Sequence, residues 1–116
     1  MNDTRMKRVA FATKRLYDAF NQLKLGKFED KELASNVDIA LDKLKYNPSC
    51  GVTIPRKLWP REYVREFGIN NLWKYNLPNG WRLIYFLRGT KVEVVSIILE
   101  WFDHAQYERR FGYKKG

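Results

Sequence analysis

The chain is short of cysteine, histidine and acidic residues. One cysteine in 116 residues, Cys50, excludes an internal disulfide and a cysteine-held zinc cluster. One histidine, His104, excludes HxxxH metal spacing, and there is no CxxC pair, glycine-rich phosphate loop or Ser/His/Asp set. No apolar run approaches the roughly 18 residues needed to cross a bilayer. The basic segment 1–8 is not followed by a signal-type apolar region. These absences lead to the expectation of a cytoplasmic protein that needs no metal, cofactor or membrane. Asp and Glu number 13 against 22 Lys and Arg, a formal charge of +9. A small domain this basic points to a polyanion, RNA or DNA, although an acidic protein would answer the same charge.

With 45% hydrophobic and 16% aromatic residues, the chain can bury a core without staples. Its length fits one domain, residues 1–116. Neither an internal repeat nor a low-complexity linker divides it. Residues 7–13 predict a short strand with Val9 and Phe11 on one face. Thr13 is placed to cap a helix whose Leu16, Tyr17, Phe20 and Leu23 fall at helical spacing, with Gly26 as its stop. A second helix begins near Asp30, carries Leu33, Val37, Leu41 and Leu44 as its stripe, and ends at Asn47-Pro48. Pro55, Pro60 and Gly68 break up the next stretch, leaving room for one short helix over 61–67.

The C-terminal half predicts a meander: a strand over 72–77, a Pro78-Asn79-Gly80 turn, a strand over 81–88, a turn at Gly89 and a strand over 91–100. The middle strand is apolar on both faces apart from Arg82, which makes it central. Asp103 followed by Gln106 has the spacing of a capping box and opens a helix over 104–110. The expected fold is α+β, with a helical hairpin on one face of a twisted antiparallel sheet and a short C-terminal helix. The other face of the sheet is expected to remain a groove. An arginine amid core residues is either paired, with Glu93 or Glu100 as candidate carboxylates, or aimed at an anion.

In its order and spacing the chain resembles the RelE/ParE superfamily of type II toxin–antitoxin toxins. The resemblance rests on the hairpin ending in Asn47-Pro48, on Leu72-Trp73-Lys74-Tyr75 with Gly80-Trp81-Arg82-Leu83-Ile84-Tyr85, and on the strand before His104 and Tyr107. It covers residues 7–113. It implies a RelE-like fold and a metal-independent mRNA endoribonuclease, associated with the ribosome, that inhibits translation. It also implies a cognate antitoxin, expected to be acidic. The family's sheet arginine carries over to Arg82 and its C-terminal tyrosine to Tyr107, with His104 beside it. The chain departs from the family where Trp73 and Tyr75 stand in place of two lysines. Lys74 between them points to the opposite face by strand alternation. A second family arginine falls near Trp101.

Metal-free RNA cleavage needs a base for the 2′-OH, a cation for the crowded phosphorane and an acid for the leaving 5′-oxygen. Arg82 suits the second role, because guanidinium grips phosphate in a fork and stays charged. His104 and Tyr107, at i and i+3, are candidates for the proton transfers. Arg56, Lys57, Arg61, Lys74, Arg109 and Arg110 are candidate backbone contacts. Trp59 and Tyr63 among them either stack on bases or anchor the loop. Two rival readings use the same residues: a non-cleaving poison of a gyrase-type protein target, and a basic RNA-binding module in which Arg82 is structural.

Overall fold

The structure is a computed structural model that describes residues 3–112. The first strand, β1 (Met6–Phe11), leads into helix α1 (Lys14–Leu23). Thr13 caps this helix by accepting the Leu16 N–H at 3.1 Å. Helix α2 (Phe28–Tyr46) starts two residues before the expected Asp30 and stops before Asn47-Pro48. Glu29 and Asp30 in its first turn and Lys43 and Lys45 in its last complement the helix dipole. A two-residue strand β2 (Val52–Thr53), unsignalled by any alternating pattern, precedes a 3-10 turn at Arg56–Leu58 and helix α3 (Arg61–Phe67). Strands β3 (Trp73–Asn76), β4 (Arg82–Gly89) and β5 (Glu93–Phe102) form the meander, and α4 (His104–Phe111) closes the chain.

The five strands lie in the order β1-β5-β4-β3-β2. The wholly antiparallel sheet expected from the sequence is corrected here: β1 runs parallel to β5, and the sheet is mixed. A tight turn forces its two strands antiparallel, as in the meander. The connection from β1 is a helical hairpin, which leaves strand direction to the packing.

The expectation of one open face is corrected as well. Helices α1 and α2 cover one face, burying Phe20, Val37, Leu41 and Leu44 against Leu83, Tyr85 and Ile98. Val9 and Phe11 pack here, as their spacing predicted. Helices α3 and α4 cover much of the other face, where Ile54, Tyr63, Ile84, Phe86, Leu99, Tyr107 and Phe111 form a second cluster. The short helix patterns at 61–67 and 104–110 carry too few apolar positions to reveal that they share a face.

Tyr85 pins the hairpin face to the loop after α2. Its hydroxyl donates to the Pro48 carbonyl at 2.9 Å and accepts the Gly51 N–H at 3.1 Å. Burial raises its pKa well above the ordinary tyrosine value. Gly51 is obligatory at this approach, since a Cβ would stand 2.6 Å from the Lys74 carbonyl.

Candidate anion site at the Arg82 hairpin

The turn before β4 is built by Asn79 and Gly80, both at positive φ (63° and 80°). Asparagine and glycine tolerate that region, so the chain reverses tightly and delivers Arg82 at the first position of the strand. Alternation along β4 sends Leu83 and Tyr85 to the hairpin face and Arg82, Ile84 and Phe86 to the other. Lys74 pairs with Ile84 and Asn76 with Arg82, so Lys74 stands on Arg82's face, one diagonal step away. Trp73 and Tyr75 pack on the hairpin face. The strand alternation that turned Lys74 away from Trp73 and Tyr75 therefore turned it towards Arg82.

The two cations converge on one ring. Lys74 Nζ lies 5.0 Å and the Arg82 guanidinium 5.8 Å from the centroid of Tyr107. Tyr107 is only 3% exposed and stacks on Phe111 at 4.7 Å. Arg82 Nη1 donates to the Gly80 and Trp81 carbonyls, at 2.9 and 3.3 Å. Its Nε is buried without an acceptor. Neither Glu93 nor Glu100 pairs with it: Glu93 takes Arg8 at 3.1 Å, and Glu100 takes Tyr63 and Arg110. Arg82 is thus a half-buried guanidinium with no carboxylate among the described residues and one unsatisfied donor. A buried donor without an acceptor costs about 1–3 kcal/mol.

Helix α4 brings His104 to the same turn. Asp103 accepts the Gln106 N–H at 2.8 Å, and the Gln106 side chain accepts the Asp103 N–H at 3.0 Å, completing the capping box. His104 is the first helical residue and packs over Gly80, where a Cβ would lie 3.7 Å from its own. Its side chain is 64% exposed, with Nε2 3.6 Å from Glu108. Gly80 therefore has His104 on one side and the Arg82 guanidinium bonded to its carbonyl. His104 and Tyr107 do not present one common surface: the histidine faces solvent and the tyrosine is covered.

The other sequence candidates divide. Lys57, Arg61 and Arg109 are exposed. Arg56 is exposed and stacks on the Trp59 ring at 4.7 Å. Trp59 donates to the Ile54 carbonyl at 2.7 Å and packs against the second cluster, so it anchors the loop. Tyr63 is 3% exposed and likewise belongs to the core. Arg110, a candidate backbone contact, pairs with Glu62 at 3.2 Å and Glu100 at 3.5 Å, over the Tyr63 ring at 5.0 Å. Trp101, at the place of the second family arginine, lies on the hairpin face against Phe20 at 6.5 Å. Of the basic–aromatic tail, Tyr113, Lys114 and Lys115 lie outside the described residues.

The Tyr63–Glu100–Arg110–Glu62 cluster had no signal in the sequence. It depends on a bulge: Ile84 pairs with Glu100 and Tyr85 with Ile98, so Leu99 is an extra residue on β5. The bulge turns Glu100 towards the face of α3 and α4, where the Tyr63 hydroxyl donates to it. Burial, then the Glu100 hydrogen bond, push the Tyr63 pKa far up. The Glu62 carboxyl is lowered by its own backbone N–H and by Arg110. This ring of charges ties α3 and α4 to β5 and lines a cleft of about 470 Å³ that none of Lys74, Arg82, His104 and Tyr107 enters.

Among the described residues, no group of three or more His, Cys, Asp or Glu side chains is placed to hold a metal ion, and no helix is long and apolar enough to cross a membrane. Comparison with protein-family models, curated proteins and solved structures finds no match.

Proposed function

We propose that the chain is a RelE-like toxin, an mRNA endoribonuclease that inhibits translation and is held in check by an acidic antitoxin. One observation supports this reading above the others: Arg82 is held by backbone carbonyls on the sheet, lacks a carboxylate, and shares the Tyr107 ring with Lys74. A guanidinium placed to pair structurally would have taken Glu93 or Glu100. Two fixed cations on one ring instead suit a phosphodiester, whose charge grows as the phosphorane forms.

In this reading the substrate 2′-OH attacks the adjacent phosphorus and the 5′-oxygen leaves. The products carry a 2′,3′-cyclic phosphate and a 5′-OH. Arg82 and Lys74 stabilise the developing charge. His104, exposed at the rim and next to Gly80, moves the protons. Tyr107, a covered ring within reach of both cations, holds them in place in this reading. Arg56, Lys57, Arg61 and Arg109 supply exposed charge along the strand of RNA.

The test is induced expression of wild type and Arg82→Ala without antitoxin, with mRNA 5′ ends mapped after growth arrest. New 5′-OH ends phased to codons with wild type alone are expected. Arrest without new ends would replace this reading with the protein poison of the same fold. Salt-dependent RNA binding without arrest or cleavage would leave an RNA-binding module.

A further inference from the structure

The four tryptophans of the chain fall into two pairs. The indole N–H of Trp59 donates to the Ile54 carbonyl at 2.7 Å, and that of Trp73 to the Asn71 side chain at 3.0 Å. The indole N–H groups of Trp81 and Trp101 meet no acceptor among the described residues. Strand register explains where this second pair stands. Trp81 immediately precedes β4 and falls in phase with Leu83 and Tyr85 on the hairpin face. Leu83 pairs with Trp101, which sets the two indoles diagonally across the β4–β5 ladder. Both are half-buried, and Phe20 braces Trp101 edge-on at 6.5 Å.

The first turns of α2 lie beside them. Together they enclose a cavity of about 350 Å³, with Leu23 and Leu33 as its apolar lining. Glu29, Asp30 and Glu32 bring three carboxylates to it, and no Lys or Arg lines it. None of the three has an ion pair among the described residues. Glu32 accepts only from the neutral Asn79 amide, at 3.4 Å. Three lysines lie close in the chain. Lys24 stands over the Phe20 ring at 4.5 Å, and Lys27 and Lys31 are exposed. The larger cleft differs in this respect, because Arg110 answers Glu62 and Glu100 there. In a chain of charge +9, two half-buried indoles beside three unanswered carboxylates run against the overall balance.

We propose that this cavity binds a compact alkylated ammonium group, free or carried on a lysine side chain. Such a group spreads its charge over methyls, so it gives up water readily and can lie against an indole face. Tryptophan is the strongest aromatic partner for a cation, and the carboxylates add direct charge attraction. The volume falls in the range of small-molecule sites. A metal ion fits poorly: indoles are not ligands, and among the described residues no group of three or more His, Cys, Asp or Glu is placed to hold one. A nucleotide would bring its phosphate against the three carboxylates. The cavity uses none of Lys74, Arg82, His104 and Tyr107, so the inference stands or falls apart from the nuclease reading.

The test is NMR of the indole N–H signals of the full chain at constant ionic strength. The probes are choline, a capped trimethyllysine, and the uncharged isostere of choline in which carbon replaces nitrogen. Both cations are expected to shift the Trp81 and Trp101 signals and leave those of Trp59 and Trp73 in place. The stronger of the two names the source of the group. The uncharged isostere should bind roughly tenfold more weakly. Trp81→Leu should abolish the shifts at Trp101. Should that variant fail to fold, Glu29→Gln combined with Glu32→Gln, both at exposed positions, should weaken binding by about tenfold with the core intact. Equal binding of the isostere, unchanged affinity in the Gln variant, shifts at all four indoles, tighter binding of a nucleoside monophosphate, or no shift at the highest soluble concentration would each overturn the proposal.

Discussion

The two faces of the sheet are built from different chemistry. The hairpin face is a nearly continuous apolar layer with two buried hydroxyls, that of Tyr85, bonded to Pro48 and Gly51, and that of Ser96, which has no partner among the described residues. The opposite face sets Lys74, Arg82 and Glu100 among aromatic rings and holds them with two short helices. Both faces bury a hydrophobic cluster, and the second sets charged groups of its own strands beside it. Within the second face the contrast recurs. Arg110 is neutralised by two carboxylates, whereas Arg82 has none and keeps a buried donor unsatisfied. Arg82 Nε and Ser96 Oγ are both buried without a hydrogen-bond partner among the described residues, and of the two only Arg82 is charged.

The largest effect expected from breaking this contrast is on the hairpin face. Leu83→Ala, at a fully buried position, should cost about 2–5 kcal/mol in urea unfolding. The opposite face should separate stability from function. If the proposed nuclease reading holds, Arg82→Ala should lower cleavage roughly 10²–10³-fold, about 2.7–4 kcal/mol of transition-state stabilisation, in a primer-extension assay. Arg82→Met should unfold no more easily than wild type, because it keeps the packing and removes the orphaned donor. A clear loss of stability in Arg82→Met would merge the two faces into one structural role.

Smaller effects sharpen the picture. Tyr63→Phe strips Glu100 of its hydroxyl donor and should cost about 1–3 kcal/mol. Alkali should act on the same bond. The folded pKa values of Tyr63 and Tyr85 are raised above the ordinary tyrosine value of 10.0. Their contribution is therefore complete below that pH and declines as pH climbs towards the folded values. Thermal melts at increasing pH should show the decline, and Tyr63→Phe should blunt it. Asp103→Ala removes the cap of α4 and should cost about 1 kcal/mol. Fraying there should also loosen His104 and reduce cleavage; unchanged cleavage would detach His104 from the chemistry.

Much of the chain was legible one element at a time. The Thr13 cap, the stripe of α2, the 61–67 helix, the Asn79-Gly80 turn and the Asp103–Gln106 box each depend on residues within a few positions of one another. Arg82 stood out for the same local reason, a cation in a strand apolar on both faces. Contacts between distant segments were not legible. The pairing of Arg110 with Glu62 and Glu100, the burial of Tyr63 and Tyr107, and the direction of β1 all join residues far apart in the chain.

Periodicity, turn chemistry and caps act over a few residues, and by themselves they determined the four helices, every strand but β2, their order and the one arginine that a core would not choose. The tertiary structure alone decided which surface that arginine shares. It turned Lys74 onto the same face, brought Tyr107 beneath both cations and assigned the two candidate carboxylates elsewhere. Those choices depend on strand register, a single bulged residue and the seating of two short helices. They are settled by packing across the whole chain, for which no local pattern in the sequence carries a signal.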